Sequence, residues 1–282
     1  MKNIIAVSTN SFHGFDIMEA LETIAKAGFK YIEICAVRNW TEHVMPDMAP
    51  EKLEAVKAKM AELGIKCIAM SGHCDLSDAS RLADFRANMK LAADLGCEWI
   101  ISSTGEAHFG SEDETDIEAL LIENIKTLVP DLEKLGLKLG IEVHGPNYGT
   151  GEACARLVDG VGAFPTVGVN FDTANVVYWG QGDPDADIKT CAKKMNYCHL
   201  KDKIGVGGEA NKEWNFPAIG AGELHLLDLI AYMKENGYEG PLSIELEYTE
   251  GFTMRDKVEG DIEFAYKTLK DSYDYLHAND LI

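Results

Sequence analysis

The chain of 282 residues is poor in positive charge, with 26 Lys and Arg against 47 Asp and Glu and a formal net charge of −21. Proteins that bind nucleic acids or anionic membranes need a basic surface, so this balance argues against both kinds of partner. The chain also lacks any apolar run near the roughly 18 residues of a membrane-spanning helix. We therefore expect no nucleic-acid partner and no membrane partner.

Cysteine is present, but not in a pattern that would form a disulfide framework. The seven cysteines are an odd number and contain no Cys-x-x-Cys spacing. Cys35, Cys67 and Cys198 lie within apolar runs, where cysteine usually serves as a small core residue. The first apolar run is too short for a signal peptide and is typical of a strand. These features indicate a globular protein of a reducing compartment, and we expect it to be cytoplasmic.

A short apolar strand followed by an amphipathic helix recurs along the whole chain. Eight such units predict a parallel sheet with helices outside, and they favour a closed (β/α)8 TIM barrel over an open, doubly wound sheet. No Gly-x-Gly-x-x-Gly fingerprint of dinucleotide-binding folds follows the first strand. Pro130 is expected to kink the helix that begins near residue 117 or to start a second segment. We predict an α/β protein with one barrel domain over residues 1–282, with strands near residues 4–8, 31–35, 66–70, 99–102, 139–144, 167–171, 196–200 and 242–246.

The fifth predicted strand, residues 139–144, contains one carboxylate within an apolar run. Glu142 is costly in such a place unless a cationic group meets it. Asp172, His199 and Glu245 end three other predicted strands in the same way. Because the carboxyl ends of the strands form one rim of a (β/α)8 barrel, we expect the four side chains to converge. This oxygen-rich set with one imidazole suits one divalent metal, with Mn²⁺ preferred, Mg²⁺ or Co²⁺ as alternatives and structural zinc disfavoured.

Other polar residues lie at the predicted strand ends, where a substrate would bind. Lys201 would need an anion inside a barrel and is expected in the pocket. Glu33 is either a substrate contact or an inward carboxylate satisfied by a neighbour, and Asp202 or an ordered water could orient His199. Each histidine at the rim could instead have a structural role. The predicted substrate-binding residues are Glu33, His73, His108, His144, Asn175 and Lys201.

The loops that follow these strands contain several aromatic residues, which would either stack on a sugar face or pack within the loops. The glycine-rich run at residues 205–209 is a candidate mobile lid. Glu247 would point inward like Glu245 by strand alternation, and it ranks behind Glu245 as a ligand. The aromatic residues in question are Trp40, Phe109, Trp179 and Trp214.

Four stretches around these residues carry a recognisable motif. They are Gly140-Ile-Glu142-x-His-Gly, Gly168-Val-Asn-Phe-Asp172-Thr-Ala-Asn175, His199-Leu-Lys-Asp202 and Gly237-Tyr-Glu-Gly-Pro-Leu-Ser-Ile-Glu245. With these motifs the chain resembles the sugar phosphate isomerase/epimerase superfamily, the xylose isomerase-like TIM barrels. The resemblance implies that the four predicted ligands bind one metal, and that Glu142 and Glu245 also move the protons in the epimerases of this group.

The chain departs from this superfamily's patterns at two points. Asn175 stands where endonuclease IV has a histidine, and together with the acidic charge this argues against DNA repair. The pair Lys201-Asp202 differs from the ketose 3-epimerases and looks more like the inosose dehydratase type. The resemblance therefore indicates the superfamily more strongly than the substrate.

The leading hypothesis is a divalent-metal-dependent isomerase or epimerase of a ketose or related polyol ketone. Glu142 and Glu245 are the predicted catalytic residues, and they would move protons through a metal-stabilised enediolate. One alternative is a dehydratase of an inosose or of 3-dehydroshikimate, which forms the same enolate and expels water. Another is a barrel that binds sugar without catalysis. The expected partner is the small-molecule substrate, and formation of a homo-oligomer stays open.

Overall fold

Eight parallel strands close into a barrel in the computed structural model, which describes residues 3–105, 117–249 and 261–282. The strands follow one another around the barrel in chain order, and the last one, β9, pairs with both β7 and β1. The predicted (β/α)8 TIM barrel is therefore confirmed. The barrel strands are β1 Ile5–Ser8, β2 Tyr31–Cys35, β3 Lys66–Ser71, β4 Trp99–Ser102, β5 Lys138–Glu142, β6 Val167–Asp172, β7 Met195–Leu200 and β9 Leu242–Ile244.

Helices connect successive strands, and local sequence signals define several of their ends. The first helix begins with a capping box formed by Asp16 and Glu19 and ends at Gly28 in the left-handed conformation. Short 3₁₀ segments cover Thr9–Phe12, Ala79–Arg81, Ala192–Lys194 and Gly208–Lys212. The α-helices of the described residues span Ile17–Ala27, Pro50–Leu63, Leu82–Asp94, Ile117–Leu135, Gly151–Val161, Asn175–Tyr178, Pro184–Cys191, Leu226–Glu235 and Asp261–Ala278.

The predicted strands agree with the observed ones to within two residues at each end. The prediction for Pro130 is corrected, because the proline does not start a second segment but lies inside one helix, Ile117–Leu135. A proline removes a single main-chain hydrogen bond, whereas the apolar face of this helix runs on either side of it. Leu128 and Leu132 are both fully buried, so packing against the barrel holds the two halves in one helix.

The core has two parts, one outside the barrel wall and one within it. Most buried apolar residues lie in a large cluster between the strands and the helices. A smaller cluster of inward-facing residues fills the barrel below the strand ends. Its large members, Trp99 and Tyr197, have ring centroids 6.0 Å apart, and the Tyr197 ring lies 5.9 Å from that of His199. The barrel interior is thus packed beneath the rim, and this packing supports His199 from below.

A two-stranded antiparallel ladder outside the barrel was not predicted. Strand β8, Asn215–Phe216, pairs with β10, Tyr248–Thr249, so that Phe216 lies opposite Tyr248. Two-residue strands show no hydrophobic alternation, which explains why the sequence does not reveal them. The ladder ties the segment after β7 to the segment after β9.

In the three described ranges, no helix combines the length and the hydropathy that crossing a membrane requires.

His43 leads to a prediction about stability. The imidazole is buried, with Nδ1 2.9 Å from Thr9 Oγ1 and Nε2 3.2 Å from the Phe15 carbonyl oxygen. Burial lowers the pKa of His43 from 6.5 to about 4. Between these two pH values the unfolded chain binds a proton that the folded chain does not, so the contribution of His43 to stability is lost as the pH falls.

We expect this loss to reach roughly 3 kcal/mol at pH 4, and His43→Gln to reduce the slope of unfolding free energy against pH between 6.5 and 4. Urea unfolding at a series of pH values measures the slope. His277→Gln, at an exposed helical histidine, is the matched control. An unchanged slope in the His43 variant would contradict the prediction.

Candidate metal centre

Four side chains from four strand ends meet at one rim of the barrel. Glu142 ends β5, Asp172 ends β6, His199 lies in β7 and Glu245 follows β9 directly. Each residue offers one donor atom, and these atoms all lie within 4.8 Å of one another. All four residues are buried. The structure thus brings together the four residues that the sequence indicates as metal ligands.

The donor set fits a divalent cation. Bonds of about 2.1 Å to a central ion place opposite ligand atoms about 4.2 Å apart, which is compatible with the observed spread. Asp172 Oδ2 is buried and accepts no hydrogen bond from the described residues, although Lys201 Nζ lies 3.2 Å away. A buried carboxylate oxygen without such a bond is suited to a ligand bond. The buried Glu, Asp and His cluster can therefore hold a divalent metal.

The orientation of His199 follows from its two ring nitrogens. Nε2 lies 3.0 Å from both carboxylate oxygens of Glu33, which can only accept, so Nε2 carries the hydrogen. Nδ1 faces the other acids, 3.1 Å from Glu142 Oε1 and 3.6 Å from Glu245 Oε2. Burial disfavours the charged ring, but Glu33, Glu142 and Glu245 together raise the pKa of His199 well above its usual value. A proton and a metal would thus compete for the same nitrogen.

Glu33 supports His199 and does not line the cavity above the cluster. Its side chain is fully buried, and Ser8 Oγ donates to Glu33 Oε1 at 3.4 Å. Of the two sequence-based alternatives for this residue, the geometry matches the inward carboxylate satisfied by a neighbour. An acid in the middle of a buried strand was the signal for this arrangement, but its partner lies on β7, on another side of the barrel.

Asp202 does not orient His199, so that expectation is wrong. Its carboxylate accepts the main-chain N–H groups of Lys203, Gly220, Gly222 and Leu224 at 2.9 to 3.2 Å. The residue lies beyond the end of β7, where its side chain reaches a neighbouring turn and not the barrel interior. It therefore holds the segment 220–224 in place.

Lys201 is buried among three carboxylates at the edge of the cluster. Its Nζ lies 2.7 Å from Glu247 Oε2, 2.8 Å from Glu245 Oε2 and 3.2 Å from Asp172 Oδ2. Burial opposes its charge, but these neighbours raise the pKa of Lys201 well above 10.5. Burial also raises the pKa of Glu247 to about 7 and that of Asp172 to about 6. Three carboxylates of the protein therefore serve as the anionic partners that a lysine inside the barrel requires.

The two glutamates of the cluster each contact a further polar side chain. His73 Nδ1 accepts the Ser103 N–H at 3.0 Å, so Nε2 carries the hydrogen and faces Glu142 Oε2 at 3.1 Å. Burial disfavours ionisation of Glu142, but the neighbouring histidines outweigh it and lower its pKa well below the usual value. His73 is therefore placed to fix one oxygen of Glu142.

Asn10 plays the equivalent part for Glu245, and the sequence analysis did not select it. Its Nδ2 donates to Glu245 Oε1 at 3.0 Å, while its Oδ1 accepts from Trp40 Nε1 at 3.0 Å and Thr41 Oγ1 at 2.8 Å. Two donors on one oxygen fix the orientation of the amide. The available signal was a polar residue two positions after the end of β1, but the sequence does not show which polar residue at a strand end meets which acid.

The remaining predicted pocket residues differ in their placement. His144 lines the cavity beside Trp179, at 5.1 Å between ring centroids, and burial lowers its pKa to about 4. Asn175 is buried and does not line the cavity; its Nδ2 donates to the Val143 carbonyl oxygen at 3.0 Å and lies 3.4 Å from Glu142 Oε1. His108 and Phe109 lie outside the described residues.

A cavity of about 230 Å³ opens above the cluster. Its floor contains Glu142, Glu245 and Lys201, and Trp40, Trp179 and Trp214 contribute to its walls. Pockets for drug-sized ligands hold about 300–1,000 Å³, so this cavity suits a smaller molecule. Acids, one ammonium and aromatic faces around a small space are the features of a site for a small polar molecule with apolar faces.

Comparisons with known proteins extend this description. A family model described as xylose isomerase-like TIM barrel matches residues 21–269. The chain is 26% identical over 260 residues to a 3-dehydroshikimate dehydratase of Pseudomonas putida, a match that covers 88% of this chain but only 38% of that longer protein.

Two solved structures illustrate the shared fold. A D-allulose 3-epimerase of Methylomonas sp. in complex with D-allulose has a TM-score of 0.74 at 14% identity, covering 98% of this chain and 97% of that one. A xylose isomerase-like TIM barrel protein of Mycobacterium smegmatis in complex with magnesium has a TM-score of 0.71 at 17% identity, covering 96% and 98%. At such identities these likenesses show a common fold.

The contact between Glu33 and His199 leads to a prediction about metal binding. We expect Glu33→Gln to weaken Mn²⁺ binding roughly 10–100-fold, because the carboxylate that fixes the ring and raises its basicity is lost. Calorimetric titration of chelator-stripped protein with Mn²⁺ measures the affinity, and Asp172→Asn should weaken it further.

The surface variant Glu22→Gln serves as the control, because Glu22 is exposed and its ion pair among the described residues is with Lys59, away from the cluster. Circular dichroism melting of the metal-free proteins separates loss of affinity from loss of folding. An Mn²⁺ affinity of Glu33→Gln equal to that of the unaltered protein would refute the assigned role.

Proposed function

This chain belongs to the xylose isomerase-like TIM barrel family, and from that premise we propose that it is a divalent-metal-dependent isomerase or epimerase of a ketose or related polyol ketone. One observation carries the proposal: Glu142 and Glu245 belong to the metal-binding cluster and also line the cavity. Proton transfer next to a carbonyl requires a base close to the substrate carbon and a cation close to the carbonyl oxygen, and a carboxylate in this position can meet both.

The four residues of the cluster would hold the ion, and we propose Mn²⁺, with Mg²⁺ or Co²⁺ as alternatives of the same oxygen preference. The magnesium complex of the Mycobacterium smegmatis relative supports a divalent ion at this kind of barrel. When bound, the ion would supply Lewis-acid polarisation of a ketone oxygen. Glu33 keeps the His199 ring turned toward that position.

Proton transfer falls to the two glutamates. One of Glu142 and Glu245 removes the proton on the carbon next to the carbonyl. The other returns a proton on the opposite face, which gives epimerisation, or the proton is delivered to the neighbouring carbon, which gives isomerisation. His73 and Asn10 each occupy one oxygen of their glutamate, which leaves the second oxygen to face the cluster. Both carboxylates are thus held in one orientation throughout the reaction.

The charges around the cavity favour an uncharged substrate. Among the described lining residues, Glu142, Glu245 and Glu247 are acidic, and the ammonium of Lys201 is already in contact with two of them. The two charges of the proposed ion would only balance the excess of acids over Lys201, which leaves no net positive charge to attract a substrate carboxylate or phosphate. The hydroxyl groups of a polyol can instead accept from Lys201 and donate to the carboxylates, while its C–H faces pack on tryptophan.

A dehydratase is the second candidate. The similarity to the Pseudomonas putida 3-dehydroshikimate dehydratase favours it, although this chain spans 38% of that protein. The reaction would begin with the same removal of a proton by a glutamate and end with loss of a hydroxyl group from the next carbon. An inosose is an uncharged substrate of this kind and fits the cavity better than the carboxylated 3-dehydroshikimate does. Growth of an enone absorbance would identify the dehydratase.

Solvent isotope exchange tests the leading proposal. Protein reloaded with Mn²⁺ is incubated in deuterium oxide with a panel of ketopentoses, ketohexoses and inososes, and deuterium next to the carbonyl is measured by mass spectrometry. We expect uptake with at least one sugar, and a rate about 10²–10⁴-fold lower in Glu142→Gln and in Glu245→Gln.

The surface variant Glu54→Gln should exchange at the rate of the unaltered protein, since Glu54 is exposed and its ion pair in the described part of the chain is with Lys57 of the same helix. If none of the sugars takes up deuterium while both glutamine variants still bind a sugar normally, the protein is a binding barrel and the catalytic proposal is wrong.

A further inference from the structure

Lys203 is a buried lysine outside the metal cluster, and main-chain oxygens surround its ammonium. Nζ donates to the carbonyl oxygens of Glu213 at 2.7 Å, Ile204 at 3.1 Å and Ala210 at 3.4 Å. An ammonium has three hydrogens, so these three bonds use all of them. The three acceptors come from the start, the middle and the end of the loop at residues 204–213, which therefore folds around this one cation.

The loop also contains a 3₁₀ turn at Gly208–Lys212, and two of its N–H groups bind side chains: Val206 donates to Glu223 Oε2 at 3.1 Å and Gly207 to Asn211 Oδ1 at 2.6 Å. Among these contacts, those of Lys203 join the start, the middle and the end of the loop. Gly205, Gly207 and Gly208 all have positive φ angles, of 83°, 109° and 61°. Glycine in this conformation is readily accommodated but also loses the most freedom on ordering, so such a run needs an external constraint. Lys203 contributes to that constraint together with Glu223 and Asn211, and its own main-chain N–H donates to Asp202 Oδ1 at 2.9 Å.

A direct path leads from Lys203 to the cavity wall. The Glu213 carbonyl that it binds most closely belongs to the peptide unit that leads into Trp214, and Trp214 lines the cavity. Trp214 Nε1 donates to the Glu247 carbonyl oxygen at 3.1 Å, and its ring lies 5.2 Å from that of Tyr178. The position of the indole therefore depends on the conformation of the loop that precedes it.

Phe216 strengthens this link. Its ring centroid lies 5.6 Å from Lys203 Nζ and 5.3 Å from Lys201 Nζ, and 4.9 Å from the Trp214 ring. An aromatic face near two cations gains from both by cation–π attraction. Phe216 is fully buried and pairs with Tyr248 in the β8–β10 ladder, so it is a rigid support against which Trp214 packs.

We propose that Lys203 is a positioning residue for the cavity. Its buried ammonium keeps the loop 204–213 folded, and the folded loop holds Trp214 in place as the wall on which the apolar face of the ligand packs. The identity of that ligand as a polyol ketone rests on the proposed function. Lys203 does not line the cavity, and its effect reaches the ligand through Trp214, which it supports by way of the loop and Phe216.

The first test measures the fluorescence of Trp214 in protein without metal or ligand. The Trp214 signal is the emission of each protein minus the emission of the same protein carrying Trp214→Phe. Lys203→Met keeps most of the side-chain volume and removes the cation, and Lys203→Ala removes both. We expect both variants to raise acrylamide quenching of Trp214 about twofold and to speed thermolysin cleavage within residues 204–213 roughly tenfold, because the loop opens locally.

Chemical rescue separates the cation from simple packing. Methylammonium should restore the quenching and the cleavage rate of Lys203→Ala, in which the ammonium site is empty, but not those of Lys203→Met, in which the side chain fills it. Lys212→Ala is the matched control in the same loop, since Lys212 is 61% exposed and its ion pair among the described residues is with the surface residue Glu209. It should behave as the unaltered protein in each assay.

Turnover gives the second test. With any sugar that exchanges deuterium, Lys203→Met should raise KM about tenfold and leave kcat within about threefold, and adding Trp214→Ala should raise KM no further, as expected for residues that act as one unit. Mn²⁺ affinity should stay unchanged, because the ligands lie on the barrel strands. If no sugar reacts, the proposed function fails while the emission and rescue results still decide the role of Lys203.

Three results would overturn the inference. They are unaltered Trp214 quenching and loop cleavage in both Lys203 variants, failure of methylammonium to restore Lys203→Ala, and additive effects of the Lys203 and Trp214 substitutions on KM. If neither variant folds, hydrogen exchange of the unaltered protein decides instead. Protection of residues 204–216 close to that of the barrel strands supports the clamp, and exchange at the rate of an open loop excludes it.

Discussion

The crowding of buried negative charge at the strand ends is the interaction on which the rest of this structure depends. Glu33, Glu142, Asp172, Glu245 and Glu247 lie within a few ångströms of one imidazole and one ammonium. Buried carboxylates are unfavourable unless cations or donors meet them, and neighbouring acids raise one another's pKa. The cluster therefore needs more positive charge than His199 and Lys201 supply. A divalent cation can provide it where the donor atoms of Glu142, Asp172, His199 and Glu245 converge, so the crowding of acids that is unfavourable for the fold is suited to binding a cation.

The barrel can accommodate this arrangement because the residues that stabilise the fold are separate from the residues of the candidate binding site. Apolar residues on both faces of the strands form the core, and a packed aromatic layer of Trp99 and Tyr197 closes the interior below the rim. The acids are restricted to the strand ends, where main-chain groups and loop side chains are available as donors. A parallel barrel gathers all such ends on one face, which is why residues more than a hundred positions apart can share one ion.

Around the cluster, the groups that would touch a ligand are distinct from the groups that hold them. Lys201, Glu142 and Glu245 face the cavity, whereas Glu33 lies behind them and makes its bonds within the protein. Lys203 extends this division to the loops, since its bonds go to main-chain oxygens and its influence reaches the cavity through a neighbouring indole. Substitutions in the supporting groups would change affinity or geometry while leaving the reacting groups in place. Relatives with one chemistry can thus differ in substrate through residues that never meet it.

Local patterns in the sequence were enough to predict the barrel, the strand positions to within two residues and the convergence of Glu142, Asp172, His199 and Glu245. Those features depend on local patterns: apolar runs, helix-ending glycines and a charged residue at the end of a buried strand. The contacts of the folded chain were needed to show that Glu33 orients His199 while Asp202 holds a turn, that Asn10 fixes Glu245, and that a two-residue ladder joins two loops. These facts depend on which side chains meet across the barrel, and such pairings arise between residues far apart in the chain, where no local period records them. At Pro130 the local sequence was misleading. The proline indicated a possible break, but the packing of one continuous apolar face keeps Ile117–Leu135 a single helix.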